Sequence, residues 1–163
     1  MAAPRGLVAA VAPSSLVAVD TMAFIYHIEA APRYAADVAP VFAALEQGVF
    51  EAVTSVLSLM ELAVRPLQLG RQEVADDYEV ALLTYPHLRV VDVDRSIARR
   101  AAELRAAYRL RPADAVQVAT ALVSGATAIV TNDAALARVR GLEVLVIDSY
   151  LPDEGPAEAS LSW

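Results

Sequence analysis

Short apolar runs alternate with longer segments of helical spacing along most of this chain, and this alternation restricts the possible folds more than any other feature. The first run, Leu16–Val19, is followed by apolar residues at helical spacing between Thr21 and Glu29. Four similar runs follow at residues 49–54, 88–93, 128–131 and 144–147. Because strands separated by helices pair in parallel, we expect an α/β fold with a mostly parallel sheet of about five strands.

Several predicted helices begin or end at residues with known positional preferences. Asp94 is a good N-cap, Pro112 suits a first helical turn, and Gly125 suits the position after a last turn. Pro66 is expected to end the helix that precedes it. The segments with helical spacing are 21–29, 34–47, 56–65, 72–84, 95–109, 113–123 and 133–140.

The length of 163 residues indicates a single domain with its own core. We expect an N-terminal extension over residues 1–15, a folded domain over residues 16–150 and an acidic flexible tail over residues 151–163. Residues 1–15 make a poor signal peptide, since they hold one arginine and a short apolar stretch. No apolar run reaches the roughly 18 residues that cross a bilayer, so we expect a cytoplasmic protein without a membrane partner.

Missing residue types and the overall charge exclude several kinds of function. The chain has no cysteine, which removes zinc fingers, iron–sulfur sites and thiol catalysis. Its 13 basic residues are all arginines, so the lysine of a nucleotide-binding P-loop is missing. The formal net charge of −7 argues against binding nucleic acid over the whole surface, and any such binding needs a local basic patch.

One candidate patch lies between Arg95 and Arg111, a segment that holds six of the 13 arginines and a single acid, Glu103. Such a segment is either a solvated helix face or a surface that contacts RNA or a partner. The candidate RNA contacts are Arg95, Arg99, Arg105 and Arg109.

Two predicted strands are followed directly by an acidic residue. Asp20 follows the first strand, and Asp133 comes two residues after the strand that ends at Thr131. Taken singly, each carboxylate is well explained as a helix N-cap. Ligands of open parallel sheets bind beyond the carboxyl ends of the strands, so adjacent strands would bring the two carboxylates into one cleft.

Two further acids are candidates for the same cleft. Asp114 lies in the first turn of its helix, where the helix dipole already favours a carboxylate. Glu61 lies in the almost entirely apolar segment 56–64, and charged side chains are rarely buried without a partner. Glu61 is therefore either at a narrow exposed edge or part of a site.

The ordered set of these motifs resembles the PIN domain, and in particular the VapC-type toxin ribonucleases. The resemblance extends from about Val17 to Ile147 and implies a three-layer α/β/α arrangement. Each motif alone is weakly specific, whereas four acids in this order are strongly so. The motifs are Asp20-Thr21 with Phe24-Ile25-Tyr26, Glu61 after Thr54-Ser55, Asp114 to Ala119 with Ala121, and Thr131-Asn132-Asp133.

Carried over position by position, the resemblance implies that Asp20, Glu61, Asp114 and Asp133 are catalytic and bind Mg²⁺ or Mn²⁺. It further implies that Thr131 and Asn132 brace these acids. The expected activity is metal-dependent endoribonuclease cleavage of RNA by activated water, leaving a 5′-phosphate. The expected partners are an antitoxin protein and a second copy of the chain. Hard oxygen ligands of this kind suit Mg²⁺.

Two alternatives remain at the level of the sequence. The chain could be a PIN-like module that binds RNA or protein without cleaving it. The segment Asp92-Val93-Asp94 after an apolar strand also resembles the nucleophile motif of haloacid-dehalogenase-like phosphatases, although a strand end followed by a helix cap explains it more simply.

Overall fold

The computed structural model describes residues 6–152, in which five strands form one sheet. The strands are β1 (Leu16–Val19), β2 (Glu51–Ser55), β3 (Leu88–Val91), β4 (Ala128–Thr131) and β5 (Glu143–Val146). Their order across the sheet is β3-β2-β1-β4-β5, and every neighbouring pair is parallel. The predicted α/β fold is confirmed, with a sheet that is entirely rather than mostly parallel.

Helices link the strands and cover both faces of the sheet. The helices are α1 (Leu7–Val11), α2 (Thr21–Ile28), α3 (Ala35–Glu46), α4 (Leu57–Gln68), α5 (Gln72–Thr84), α6 (Arg95–Tyr108) and α7 (Pro112–Ser124). Two short 3₁₀ helices, Ala134–Arg138 and Ile147–Tyr150, follow β4 and β5. The segment predicted as a short helix over 133–140 is thus a 3₁₀ helix of five residues.

The alternation of side chains along β1 shows how the core is divided into two. Val17 and Val19 are buried on one face of the sheet, in a cluster that includes Phe24 of α2 and Phe42 of α3. Ala18 is buried on the opposite face, in a cluster built largely from α6 and α7. Because successive side chains of a strand point to opposite faces, a strand buried on both sides must be apolar throughout, as β1 is.

Several helix ends match their predicted signals. Asp94 caps α6 by accepting a hydrogen bond of 2.8 Å from the Ile97 amide. Pro112 occupies the first turn of α7. Gly125 follows α7 with a φ of 82°, in the left-handed region that favours glycine at this position.

The helix α4 differs from its prediction, because it continues past Pro66 to Gln68. A proline removes one backbone N–H and disturbs the preceding turn. Pro66 lies in the last turn of α4, and its side chain is buried. The missing backbone hydrogen bond therefore affects only the end of the helix. Burial of the apolar proline ring helps to offset its energetic cost.

The N-terminal segment also differs from its prediction. Residues 7–11, expected to be part of a loose extension, form α1, whose Leu7 and Val11 are 1% and 0% exposed. These two side chains lie four positions apart, so they share one face of the helix and enter the core together. The predicted flexible tail falls mainly on residues 153–163, outside the described residues. Among the helices of residues 6–152, none has the length and apolar composition needed to cross a membrane.

Candidate functional site

The predicted site is assembled at the carboxyl edge of the sheet, where β1 and β4 lie side by side. The Asp20 amide donates a hydrogen bond of 2.9 Å to the Val130 carbonyl, which continues the pairing of the two strands to their ends. This places Asp20 next to Thr131, the last residue of β4. The topology therefore brings the two acid-bearing strand ends together, the arrangement that the sequence allowed if their strands were adjacent.

Asp20 is fixed by hydrogen bonds to both carboxylate oxygens. The Thr21 amide donates to Oδ1 and the Thr131 hydroxyl donates to Oδ2, each at 2.8 Å. Burial raises the pKa of Asp20 above its usual value, the two hydrogen bonds oppose that shift, and the Asp114 and Asp133 carboxylates add to it. Asp20 is thus both the N-cap of α2 and part of a group of mutually repelling acids.

Asp133 reaches the same place from the end of β4. The Asp133 amide donates a hydrogen bond of 3.1 Å to the Thr131 hydroxyl oxygen. Its Oδ1 accepts a hydrogen bond of 2.9 Å from the Ala135 amide and so caps the 3₁₀ helix that follows. The second oxygen, Oδ2, is left to face Arg111 at 3.7 Å. A role of Asp133 as a helix cap is therefore compatible with a role in the site, as it is for Asp20.

Asp114 and Glu61 complete the group from the helices on either side of the sheet. The Asp114 side chain, 18% exposed, lies in the first turn of α7 and interacts electrostatically with both Asp20 and Glu61. Burial raises the pKa of Glu61, the nearby Thr21 side chain opposes the shift, and Asp20 and Asp114 increase it. We call Asp20, Glu61, Asp114 and Asp133 the acidic cluster.

A buried polar network lies beneath the acidic cluster and was not predicted from the sequence. The Ser58 hydroxyl shares hydrogen bonds of 2.9 Å with the hydroxyls of Thr21 and Thr54, and it accepts one of 2.8 Å from the Gln117 side-chain amide. The Gln117 carbonyl oxygen in turn accepts from the Ser55 amide at 3.2 Å. The network joins β2 to α2, α4 and α7, which carry or adjoin Asp20, Glu61 and Asp114. The sequence feature that could have indicated this network is the presence of polar residues, Ser58 and Gln117, in largely apolar helix segments.

The hydrogen-bond partners of the Asn132 side chain lie outside the acidic cluster. Its side-chain amide donates to the hydroxyls of Tyr26 and Tyr34 at 3.1 and 3.4 Å, and its oxygen accepts from the Asp148 amide at 3.0 Å. Tyr26 and Tyr34 stack on each other with ring centroids 3.8 Å apart. These hydrogen bonds join α2 and the start of α3 to the segment after β5 through Asn132. Thr131 alone of the two predicted bracing residues contacts the cluster.

Arg111, which was not among the predicted site residues, adds a positive charge to the acidic cluster. Its Nε lies 2.9 Å from Asp114 Oδ2, and its Nη2 lies 3.7 Å from Asp133 Oδ2. The hydrogen bond to Asp114 and the charges of Asp114 and Asp133 raise the pKa of Arg111. Its position three residues before Asp114 was a signal that sequence reasoning could have used.

The arginines predicted to contact RNA lie on and just after α6. Arg99 forms an exposed ion pair with Glu103 at 3.4 Å, and the Arg105 Nε donates to the Leu110 carbonyl at 3.1 Å. Arg95 and Arg109 are exposed at the two ends of the helix. Their contact with RNA stays a prediction.

The donor set of the acidic cluster fits a hard divalent cation such as Mg²⁺. All four acids offer carboxylate oxygens, and burial with mutual repulsion favours an added positive charge. Within residues 6–152, no three acidic or histidine side chains enclose a ready-made cation cage.

The comparisons with known proteins agree with this fold. The profile of the PIN domain family matches residues 17–142, which is most of the chain, and the chain therefore belongs to the PIN domain family. No curated protein matches the chain.

Solved toxin–antitoxin structures share the fold at low sequence identity. VapBC2 from Rickettsia felis, bound to a DNA fragment from its promoter, matches with a TM-score of 0.64 and 17% identity over 80% of this chain and 98% of that chain. A toxin–antitoxin complex from Klebsiella pneumoniae matches with a TM-score of 0.60 and 23% identity over 80% and 97% of the two chains. DNA-bound VapBC from Salmonella typhimurium gives a TM-score of 0.63 and 21% identity with the same coverage.

Proposed function

We propose that this PIN domain protein is a metal-dependent endoribonuclease that uses the acidic cluster as its active site. The observation that carries the proposal is that the Asp20 carboxylate interacts electrostatically with three other acids, which come from three further elements: Glu61, Asp114 and Asp133. Helix capping accounts for Asp20 and Asp133 individually, but it does not account for the partly buried Glu61 in the middle of α4.

The expected reaction is hydrolysis of an RNA phosphodiester, in which water adds to phosphorus and the 3′-oxygen leaves, giving a 5′-phosphate and a 3′-hydroxyl. When bound, Mg²⁺ or Mn²⁺ supplies positive charge that makes water a better nucleophile and offsets charge on the phosphoryl oxygens. Asp20 and Asp114 are the residues that would hold the ion directly. Glu61 and Asp133 would act through water or hold a second ion.

Other side chains of the site have positioning roles in this proposal. The Thr131 hydroxyl donates a hydrogen bond to Asp20 and accepts one from the Asp133 amide. One side chain therefore positions both acids relative to each other. The Gln117 network holds α4 and α7 against β2. Preorganised carboxylates of this kind need little rearrangement when charge develops in the reaction.

The proposal is tested by incubating the protein with single-stranded RNA in Mg²⁺, in Mn²⁺ and in EDTA. We expect cleavage with either ion and none in EDTA. Asp20→Asn and Asp114→Asn should each lower the cleavage rate at least about a hundredfold, since each removes a charged ligand from the site. Asp92→Asn is the matched control, because Asp92 is an exposed acid after β3, outside the cluster.

The controls separate the proposal from its alternatives. Metal-dependent cleavage that survives both Asp20→Asn and Asp114→Asn would contradict the assigned site. RNA binding without cleavage by the wild-type protein would favour the non-catalytic module. The phosphatase interpretation predicts loss of activity in Asp92→Asn, but the PIN family match and the role of Asp94 as the cap of α6 do not support it.

We further propose that the protein is the toxin of a type II toxin–antitoxin pair and that it forms a homodimer. The support for the toxin role is the likeness in fold to VapBC structures and to a structure described as a toxin–antitoxin complex. Co-expression with the product of a small neighbouring open reading frame should relieve growth arrest and yield a co-purifying complex. Light scattering of the isolated chain should give twice the mass of 17.3 kDa, and a monomeric mass would contradict the dimer.

A further inference from the structure

Arg111 lies at the edge of the acidic cluster with most of its side chain in solvent. It is the residue immediately before Pro112, at the N-cap position of α7, and its side chain is 80% exposed. Its guanidinium nevertheless points back to the protein, with Nε 2.9 Å from Asp114 Oδ2 and Nη2 3.7 Å from Asp133 Oδ2.

A purely local role does not explain this placement. Arg111 and Asp114 are three residues apart, and pairs of this spacing on an exposed helix surface stabilise a protein only weakly. The same guanidinium also approaches Asp133, which lies 22 residues later in the chain and belongs to a different element. Among the ion pairs within residues 6–152, those of Arg111 are the ones that involve members of the acidic cluster.

The chemistry of the guanidinium suits a phosphate ligand. It has five N–H donors in a planar fork and stays charged at all relevant pH values. Nε and Nη2 face the carboxylates, which leaves Nη1 and the solvent side of the fork for another acceptor. That acceptor would approach from solvent, the side from which a nucleic acid reaches the carboxyl edge of the sheet.

We propose that Arg111 binds a phosphate of the RNA substrate, from a guanidinium held beside Asp114 and Asp133. This inference rests on the proposed nuclease function and adds a substrate-binding residue to it. A bidentate guanidinium–phosphate contact next to the acids would direct the negatively charged backbone to a site that otherwise repels it.

The same placement has a second consequence, which does not depend on cleavage. Asp114 Oδ2 and Asp133 Oδ2 are oxygens that a divalent cation would also use, so Arg111 competes with the cation for them and repels it. Removing the positive charge of Arg111 should therefore tighten the binding of Mn²⁺. We expect a change of about three- to tenfold, in keeping with the strength of an exposed ion pair.

The test compares the wild-type chain with Arg111→Gln, Arg111→Lys and Arg89→Gln. Arg89→Gln is the matched control, because it removes the same charge from β3, where Arg89 lines a cavity with Ser15 and Leu16 at the opposite edge of the sheet. Mn²⁺ binding is measured by titration calorimetry without RNA. Cleavage of a short single-stranded RNA of randomised sequence gives kcat and KM.

We expect Arg111→Gln to bind Mn²⁺ more tightly while KM for RNA rises about ten- to a hundredfold, with a smaller change in kcat, as expected for a lost phosphate contact. Arg111→Lys should recover part of the loss in KM, and Arg89→Gln should resemble the wild type. A merely structural role would weaken Mn²⁺ binding and cleavage together.

The outcomes separate the two proposals. An active wild type with an equally active Arg111→Gln would overturn the role of Arg111 and leave the nuclease function standing. A wild type that neither binds Mn²⁺ nor cleaves RNA would overturn both. A rise in KM of equal size in Arg89→Gln would also overturn the inference, since it would show a general effect of charge.

Discussion

The Asp20 carboxylate illustrates how one residue can stabilise its local structure and still lower the stability of the whole fold. It accepts hydrogen bonds from the Thr21 amide and the Thr131 hydroxyl, which favour the folded state. Burial and the charges of Asp114 and Asp133 raise its pKa, which means that the ionised form is disfavoured in the folded protein. At neutral pH without metal, the negative charge on Asp20 therefore costs folding free energy.

This balance predicts that Asp20→Asn stabilises the metal-free protein. Asparagine keeps the shape and an acceptor for the Thr21 amide, and its amide group can donate to the Thr131 hydroxyl. We expect the melting temperature in EDTA at neutral pH to rise by about 2–4 °C, the shift that about 1 kcal/mol produces in a domain of this size. Differential scanning calorimetry measures it.

Asp94→Asn is the control for this measurement, because Asp94 also caps a helix but lies outside the acidic cluster. Asparagine is an equally good cap, so its melting temperature should change little. A lower melting temperature for Asp20→Asn in EDTA would show that the hydrogen bonds of Asp20 outweigh the repulsion.

At the scale of elements, the order of strands determines which acids meet. The sequence predicted that Asp20 and Asp133 follow strands, but it gave no direct sign that β1 and β4 are neighbours. Adjacency depends on the long-range packing of both sheet faces, which local periodicity does not encode. The pairing of β1 with β4 places Thr131 beside Asp20 and thereby builds one side of the site.

Contacts between helices were less predictable than the helices themselves. Gln117 was part of a recognised motif, yet its role depends on Ser55 and Ser58, about 60 positions earlier in the chain. Asn132 was assigned to the cluster by resemblance, whereas its actual partners are Tyr26 and Tyr34. Tertiary packing determines which residues distant in sequence come into contact. The hydrogen-bond partners of Gln117 and Asn132 therefore could not be predicted from local sequence patterns alone.

The contact between α2 and α3 predicts a dependence of stability on pH. The His27 ring lies parallel to the Phe42 ring, with centroids 4.1 Å apart, and approaches the edge of Tyr85. Burial lowers the pKa of His27 below its usual 6.5, while the charge of Glu46 opposes the shift. As the pH falls, the unfolded chain binds a proton at His27 before the folded chain does, so the free energy of unfolding decreases from about pH 7 downwards.

His27→Phe removes this titration and keeps a ring on Phe42. We expect the variant to lose less stability than the wild type as the pH falls from about 7.5 to about 5, when both are unfolded with urea. Other groups titrate equally in the two proteins, so the difference between them isolates His27. Parallel curves over that range would contradict the lowered pKa.

At the scale of the whole molecule, the apolar pattern correctly predicted the fold class, whereas the site assigned to the acidic residues stays a prediction. The fully buried strands read as continuous apolar runs, which is why the parallel sheet could be recognised. The helix α1 was missed because five residues are too few for a periodic signal, and its burial in contact with the rest of the core decides its structure. Domain limits at residues 16 and 150 stay a prediction, although the family match over residues 17–142 lies within them.

With a net charge of −7 and an acidic cluster, the protein repels other polyanions, so the proposed binding of RNA would require positive charge at the site. Arg111 supplies one positive charge at the cluster, and the arginines of α6 offer more on a neighbouring helix that packs against α7. A divalent ion would supply the rest. The central claim is therefore that the acidic cluster binds a divalent cation.

The most direct test of that claim is thermal unfolding of the wild-type chain and of Asp114→Asn, first in EDTA and then in rising Mn²⁺. A site filled at 100 times its Kd adds about 2.7 kcal/mol to the stability of the folded state. For the wild type we predict a rise of about 5–10 °C, and for Asp114→Asn a rise that is much smaller or missing. A wild-type protein with no rise at millimolar Mn²⁺, or an equal rise in both proteins, would contradict the account.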